Sequence, residues 1–311
     1  RSPQAICGGI IEHDAYLKEE NFKNRLVSLG LSECLNYSFF DRKSALTDPR
    51  FDEKSILPIS NPLSKDSEFM RPSLLCGILQ TVNRNLSQNT SDLALFETGK
   101  VFYKNSSEIT ENLELIIAIT GRKHPEMYSQ EKKQLYDFYD MKGLMESILS
   151  INKIHNWSFV KLSQEHNASK IFTTQRLAIK IRNDLLAVFG KVSKNFTQDM
   201  RIKAPLYIAI FDFSAILNAK EDISVFKEFS QFPSIRRDIA IETDKNFENA
   251  TFEQFITGQK VDHLEKFELF DLFEDDKIGN DKKSLAYSFH YRCMDKTLTD
   301  DEVNKIHDTL R

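Results

Sequence analysis

The stretch ISNPLSKDSEFMRPSLLCGILQTVNRNLSQNTSDLALFETGKVFY, residues 59–103, decides how the chain folds. Its middle places Leu74, Leu75, Ile78, Leu79 and Val82 on one helical face, so residues 73–88 read as a helix, entered after Pro72. Its end, DLALFETGKVFY, reads as a strand, and its beginning belongs to a loop punctuated by Pro49, Pro58 and Pro62. Glu97 lies among apolar neighbours in LFETG. It is either a functional carboxylate facing a cleft or a strand residue paired with a nearby Arg. Arg71 precedes a helix, where the dipole gives a cation nothing, so it calls for a structural partner or an anion.

Upstream, Phe22, Leu26 and Leu29 recur at helical spacing over 17–29, with Gly30 as a C-cap, and ECLNYSFFD (33–41) reads as a strand. Downstream, LELIIAITG (113–121) is a buried strand. Met141, Leu144, Met145, Ile148 and Leu149 make an amphipathic helix of 139–150. RLAIKIR (176–182) alternates strictly, Asn183-Asp184 turns the chain into LLAVFGKV, and LYIAIFDFS (206–214) is another strand. The order is α+β with antiparallel neighbours. A polar stretch, LNAKEDIS (217–224), marks a boundary, giving domains 1–218 and 219–311. The second domain runs strand (236–243), helix (250–259), strand (266–273), strand (283–291), helix (300–310), with Thr299 or Asp300 as the last cap. This β-α-β-β-α order is ferredoxin-like with the final strand missing, and the opening without Met reads as a fragment of a longer chain.

Composition excludes several classes. No apolar run reaches the roughly 18–20 residues of a membrane span, and the start lacks the regions of a signal peptide. Cys7, Cys34, Cys76 and Cys293 are isolated, without a CxxC pair, which fits reduced cytoplasmic thiols and no zinc site. No P-loop, GxGxxG, GxSxG or HExxH motif occurs. The carboxylates Glu274, Asp275 and Asp276 allow a catalytic or metal reading, but with Lys277 and Gly279 following them they read better as a solvated hairpin loop. Residues 219–311 hold 14 Lys+Arg against 21 Asp+Glu, a net of −7, while residues 1–218 hold 28 against 25, a net of +3. That sign opposes a general nucleic-acid grip in the second domain.

Two blocks carry a family resemblance. Residues 59–103 contain Asn-Pro-Leu-Ser, Met-Arg-x-Ser-Leu and Leu-Phe-Glu-x-Gly, and with RLVSLGLSECLNYSF (25–39) and DFYDMKG (137–143) they resemble the synthetase-like domain of the phenylalanyl-tRNA synthetase β subunit. FPSIRRDIAIET (232–243), FDLF (270–273), KKSLAYSFHYR (282–292) and KTLTDDEV (296–303) resemble the ferredoxin-fold anticodon-binding domain of the same family. The resemblance spans nearly the whole chain. It implies a class II synthetase-like antiparallel sheet domain without catalytic residues, followed by an anticodon-binding domain. It implies an (αβ)2 assembly with an α subunit that holds the active site and uses ATP and Mg2+, no cofactor or metal in this portion, tRNA(Phe) as a partner, no membrane and a cytoplasmic location. The late segment LLAVFGKVSKNFTQDMRIKAPLYIAIFDFS (185–214) agrees: its single Gly190 provides no Gly-rich class II motif, and Ser193 and Lys194 stand where the family usually has His-Pro.

Within its motifs the resemblance maps anticodon readers onto Asp271, Phe273 and Ser284, Phe273 replacing the usual Tyr. Stacking on an aromatic ring with polar contacts to the base edge is how single-stranded bases are held. Arg236, Arg237, Lys282, Lys283 and Arg292 are the cations left to meet phosphates on so acidic a domain. Two other readings are an active adenylate-forming paralogue, against which the missing Gly-rich motif speaks, and a free-standing RNA-binding or interaction protein built from the same domains.

Overall fold

Residues 113–120, LELIIAIT, are apolar at nearly every position because both faces of their strand are covered. The computed structural model describes residues 11–106, 108–124, 134–198, 202, 204–218, 228–274, 279 and 281–310, with side chains from residue 16 onward. It divides into two compact units, Arg1–Ser224 and Val225–Arg311. The boundary expected at 218/219 falls at residues 219–227, outside the described residues, as does Cys7.

The first unit runs α1 (Ile11–Ser28), β1 (Ser32–Glu33), β2 (Phe39–Phe40), α2 (Arg42–Ala45), β3 (Phe69–Met70), α3 (Leu75–Ser87), β4 (Leu93–Asn105), β5 (Glu108–Thr120), α4 (Phe138–Ile151), β6 (Trp157–Lys161), β7 (Phe172–Ile181), β8 (Asp184–Val192), α5 (Lys194–Thr197), β9 (Leu206–Asp212) and α6 (Phe213–Asn218). Seven strands form one sheet in the order β1-β4-β5-β9-β8-β7-β6, antiparallel except for the parallel pair β1-β4. Successive side chains of β5 go to opposite layers. Leu115, Ile117 and Ile119 pack with Phe22 and Leu26 of α1 and Met141, Met145 and Ile148 of α4. Ile116 and Ala118 pack with Leu75, Ile78, Leu79 and Val82 of α3.

Local chemistry sets most element ends. Gly30, at φ +89°, closes α1 in the left-handed conformation that glycine adopts without strain. Asp137 and Asp140 form a capping box at the start of α4. The start of α3 depends on a distant residue: buried Glu114 accepts the Leu74 N–H at 2.8 Å. The strand expected over 33–41 is only the short β1 and β2, with an irregular segment between them. The cause is Asn36, whose backbone N–H (3.1 Å) and side-chain amide (2.7 Å) both turn inward to donate to Glu97. The turn into β8 is Arg182-Asn183, with Arg182 at φ +57°, one residue earlier than expected, because Ile181 pairs with Asp184.

Arg71 and Glu97, the two ambiguous charges, are each other's partner at 2.9 Å, both buried. Arg71 Nε also donates to the Lys100 carbonyl at 2.8 Å. A Cβ at Gly99 would collide with the Arg71 guanidinium, so this strand position admits glycine alone without displacement. The pair ties the loop before α3 to β4.

The second unit runs β10 (Ile235–Asp244), α7 (Asn249–Gln259), β11 (Leu264–Phe273), β12 (Lys282–Tyr291) and α8 (Asp300–Asp308), with an antiparallel sheet ordered β10-β12-β11. Its core joins Ile256 and Val303 to Leu285, Tyr287, Phe289 and Tyr291 on one face of that sheet. Thr299 and Glu302 form the capping box of α8.

Replacing Glu97 by Ala leaves a buried guanidinium without its counter-ion, and a loss of about 3–5 kcal/mol is expected from urea unfolding. The apolar double substitution Arg71→Met with Glu97→Leu should lose less. A single mutant as stable as the wild type would show that the pair holds nothing.

Candidate nucleic-acid interface

Helices α7 and α8 cover one face of the three-stranded sheet and leave the other open. On β10, Ile235, Arg237, Ile239, Ile241 and Thr243 turn toward the helices, while Arg236, Asp238, Ala240, Glu242 and Asp244 are exposed. On β12, Leu285, Tyr287, Phe289 and Tyr291 are buried against the helices, leaving Lys282, Ser284, Ala286, Ser288 and His290 on the opposite face. The Tyr287 and Tyr291 phenols are pushed up to about 12 by burial, so both stay neutral and act as packing groups. They hydrogen-bond Asn249 (2.5 Å) and His307 (2.9 Å).

Strand β11 breaks its register with β12 twice, between Leu264 and Lys266 and between Leu269 and Asp271, and the second break matters here. Phe267 and Leu269 stand opposite Phe289 and Tyr287 and face the helices; after a register shift, Asp271 stands opposite Ala286 and Phe273 opposite Ser284. Phe270 is the inserted residue of this β-bulge. Strict alternation would have placed Asp271 and Phe273 with Phe267 and Leu269, facing inward. The bulge moves them to the open face, beside Ser284. Phe273 is 50% exposed and Phe270 51%.

The structure therefore brings together Asp271, Phe273 and Ser284 at one end of the open face, with Lys282 two residues from Ser284. Arg236 is on the same face but is committed: Nε and Nη2 donate to the two carboxylate oxygens of Asp238 at 2.8 and 3.1 Å. That hydrogen-bonded pairing holds the Asp238 carboxyl below its usual range. The Arg236 guanidinium also lies 5.1 Å from the Phe270 ring centre. Three other cations are elsewhere. Arg237 turns to the helix side, donating to Asn304 at 2.9 Å and to Asp300 of α8. Lys283 donates to the Phe247 carbonyl at 2.7 Å. Arg292 is beyond the far end of β12, paired with Glu265 at 3.0 Å, roughly 26 Å along the strand from Ser284. Glu274 pairs with Lys245 at 3.2 Å, and Asp275, Asp276 and Lys277 lie outside the described residues.

Phe270 escaped the sequence reading because a bulge has no composition of its own. The available signal was the run Leu269-Phe270-Asp271-Leu272-Phe273, four apolar residues in five where a half-buried strand should alternate.

In the first unit a cavity of about 170 Å³ opens on the sheet, lined by Arg50, Tyr103, Asn112, Glu114, His166 and Asp212 among others. Its Arg50 is held by Asp48 (2.6 Å) and Glu114 (2.9 Å). Burial pushes the Glu114 carboxyl up while Arg50 opposes the shift. A guanidinium spent on two carboxylates is poorly placed to clamp a triphosphate. Among the described residues no cluster of His, Cys, Asp and Glu is placed to hold a metal, and no helix is long and apolar enough to cross a membrane.

A mixed sheet with helices on both faces and an attached ferredoxin-like unit is the architecture of a class II aminoacyl-tRNA synthetase core with an anticodon-binding domain. The pyrrolysyl-tRNA synthetase of Desulfitobacterium hafniense is similar in fold to 67% of this chain, over 69% of its own length, at a TM-score of 0.50 and 13% identity. The family model described as the phenylalanyl tRNA synthetase beta chain CLM domain matches residues 1–213, and the ferredoxin-fold anticodon binding domain matches 230–311. The chain belongs to the phenylalanyl-tRNA synthetase β-chain family. It is 32% identical over 290 residues to the phenylalanine–tRNA ligase β subunit of Fusobacterium nucleatum, covering 92% of this chain and 35% of that protein. It is 28% identical over 303 residues to that of Bacillus subtilis, covering 96% and 37%. The chain thus spans about a third of the length of these relatives.

The placement of the cations generates a contrast. Arg237→Ala and Lys283→Ala should lower stability while leaving the salt slope of RNA binding unchanged. Lys282→Ala should leave stability intact and reduce the slope of log K against log salt by about one. A changed slope for Arg237→Ala would return that residue to the RNA side.

Proposed function

We propose that this chain is the non-catalytic β-subunit portion of a phenylalanine–tRNA ligase. It supports an α-subunit active site and reads the tRNA(Phe) anticodon during ATP-dependent aminoacylation. Its domains are the synthetase-like 1–218 and the anticodon-binding 219–311, and its setting is a cytoplasmic (αβ)2 tetramer. ATP and Mg2+ serve the whole ligase, and the isolated chain is inactive. The observation that carries this reading is the convergence of Asp271, Phe273 and Ser284 on the open sheet face, together with membership of the family. Phe273 offers a ring for stacking, worth roughly 1–3 kcal/mol per base. Ser284 and Asp271 offer a donor and acceptors for a base edge. In binding to tRNA(Phe) transcripts at low salt, Phe273→Ala should abolish the preference for the cognate anticodon over a substituted one. Equal weak binding of both transcripts by the wild type would reduce the chain to a scaffold.

The α-subunit contact is the extended segment between β1 and β2. Leu35 (82% exposed), Tyr37 (85%) and Phe39 turn outward while Asn36 turns to Glu97, an inverted pattern with its apolar side in solvent. Such a row at a sheet edge favours a partner chain. The helices of 73–88 and 139–150 bury their apolar faces in the core and are not available for that contact. Leu35→Asp with Tyr37→Asp should abolish co-purification with the α subunit while the melting temperature holds. Unimpaired assembly would exclude this surface.

A further inference from the structure

We infer that Phe270 and Arg236 form a second nucleobase platform, so that the open face holds two unstacked bases, one on Phe273 and one on the paired surface of Phe270 and Arg236. The inference rests on the anticodon reading above and extends it to residues outside the Asp271, Phe273 and Ser284 set.

Four observations carry it. The bulge leaves the Phe270 ring half exposed next to Asp271 and Phe273, where packing gives it no reason to be. Arg236, on β10, reaches across the width of β12 to place its guanidinium 5.1 Å from that ring. The reach is open because the centre of the face is floored by small residues: Ala240 pairs with Ala286, and Asp238 with Ser288. The Asp238 carboxylate grips the guanidinium at two points, 2.8 and 3.1 Å, through the edge of its fork. An edge-on bidentate pair fixes the plane and leaves the flat faces available for stacking.

The same pairing cancels the charge that a phosphate contact would use. Arg236 is therefore a stacking residue and not one of the backbone-binding cations. Phe270 and Phe273 are about 10 Å apart along the strand, too far to sandwich a single base and suited to one base each. A planar cation with an aromatic ring is a base platform whose preference among bases is set by stacking strength. The occupant is single-stranded RNA of the anticodon loop, whose bases can be splayed from their neighbours, whereas paired RNA presents no exposed base faces.

The test uses the full-length β subunit assembled with its α subunit, and tRNA(Phe) transcripts substituted at each anticodon position in turn. Phe270→Ala should weaken the cognate transcript roughly 5- to 150-fold, the range that stacking of one base covers. It should flatten discrimination at a different anticodon position from Phe273→Ala. Phe270→Leu keeps the bulk, loses the flat ring and should behave like the Ala variant, which separates stacking from packing. Arg236→Lys keeps the charge and loses the plane; it should bind as poorly as Arg236→Ala. The inference is overturned if Phe270→Ala binds like the wild type, if it flattens the same position as Phe273→Ala, or if Arg236→Lys restores full affinity. Should Phe273→Ala also have no effect, the anticodon reading itself fails. Should Phe273→Ala act and Phe270→Ala not, only the second platform is lost.

Discussion

Successive side chains of a β-strand go to opposite faces of the sheet, and both units are arranged around that constraint. In the first unit both faces of the inner half of β5 are covered, so residues 115–119 are apolar without interruption and the sheet is committed to packing. In the second unit helices cover one face only, so each strand carries one set of residues for the core and another for solvent. The open face exists because of that imbalance. One of the two points where β11 slips against β12, the bulge at Phe270, is where the candidate reading residues emerge. A single inserted residue thus converts Asp271 and Phe273 from core positions into surface ones, at the cost of one unpaired position in the ladder.

Electrostatics bears on the proposal that an acidic unit faces RNA. Its cations are mostly spent on the protein itself. Arg237 ties β10 to α8, Lys283 holds the loop before α7, and Arg292 pairs with Glu265. Each satisfies a backbone or carboxylate group near the sheet, so the residual positive charge near the open face is small. What that face offers is aromatic surface with polar edges. Such a surface suits bases and contributes little long-range attraction, which fits the proposed role as one part of a larger RNA-binding assembly.

The first unit shows the same economy with its charges. Arg71 and Arg50 both lie near the sheet of a class II fold, yet each is tied to buried carboxylates. Those pairs position a loop and the start of α3. Breaking either one would leave an uncompensated buried charge, which is why such residues are structural anchors. The inward turn of Asn36 toward Glu97 has the further effect of pushing Leu35 and Tyr37 outward, linking an internal ion pair to the surface available to a partner.

Periodicity and capping residues by themselves determined the helices of 73–88 and 139–150, the buried strand after residue 113, the β-α-β-β-α order of the second unit and the cap at Thr299. These are local signals, set by interactions between residues close in the chain. The motifs around 59–103 and 270–292 likewise carried the family. Only the tertiary structure decided that Arg71 and Glu97 are partners, because 26 residues separate them and nothing in either segment names the other. Only it decided that Arg237 and Lys283 face the helices while Arg236 and Ser284 face outward, because register with β12 sets those faces. The place of Phe270 was decided last, by a one-residue slip between β11 and β12. A slip of register belongs to the pair of strands, and neither strand's sequence contains it alone.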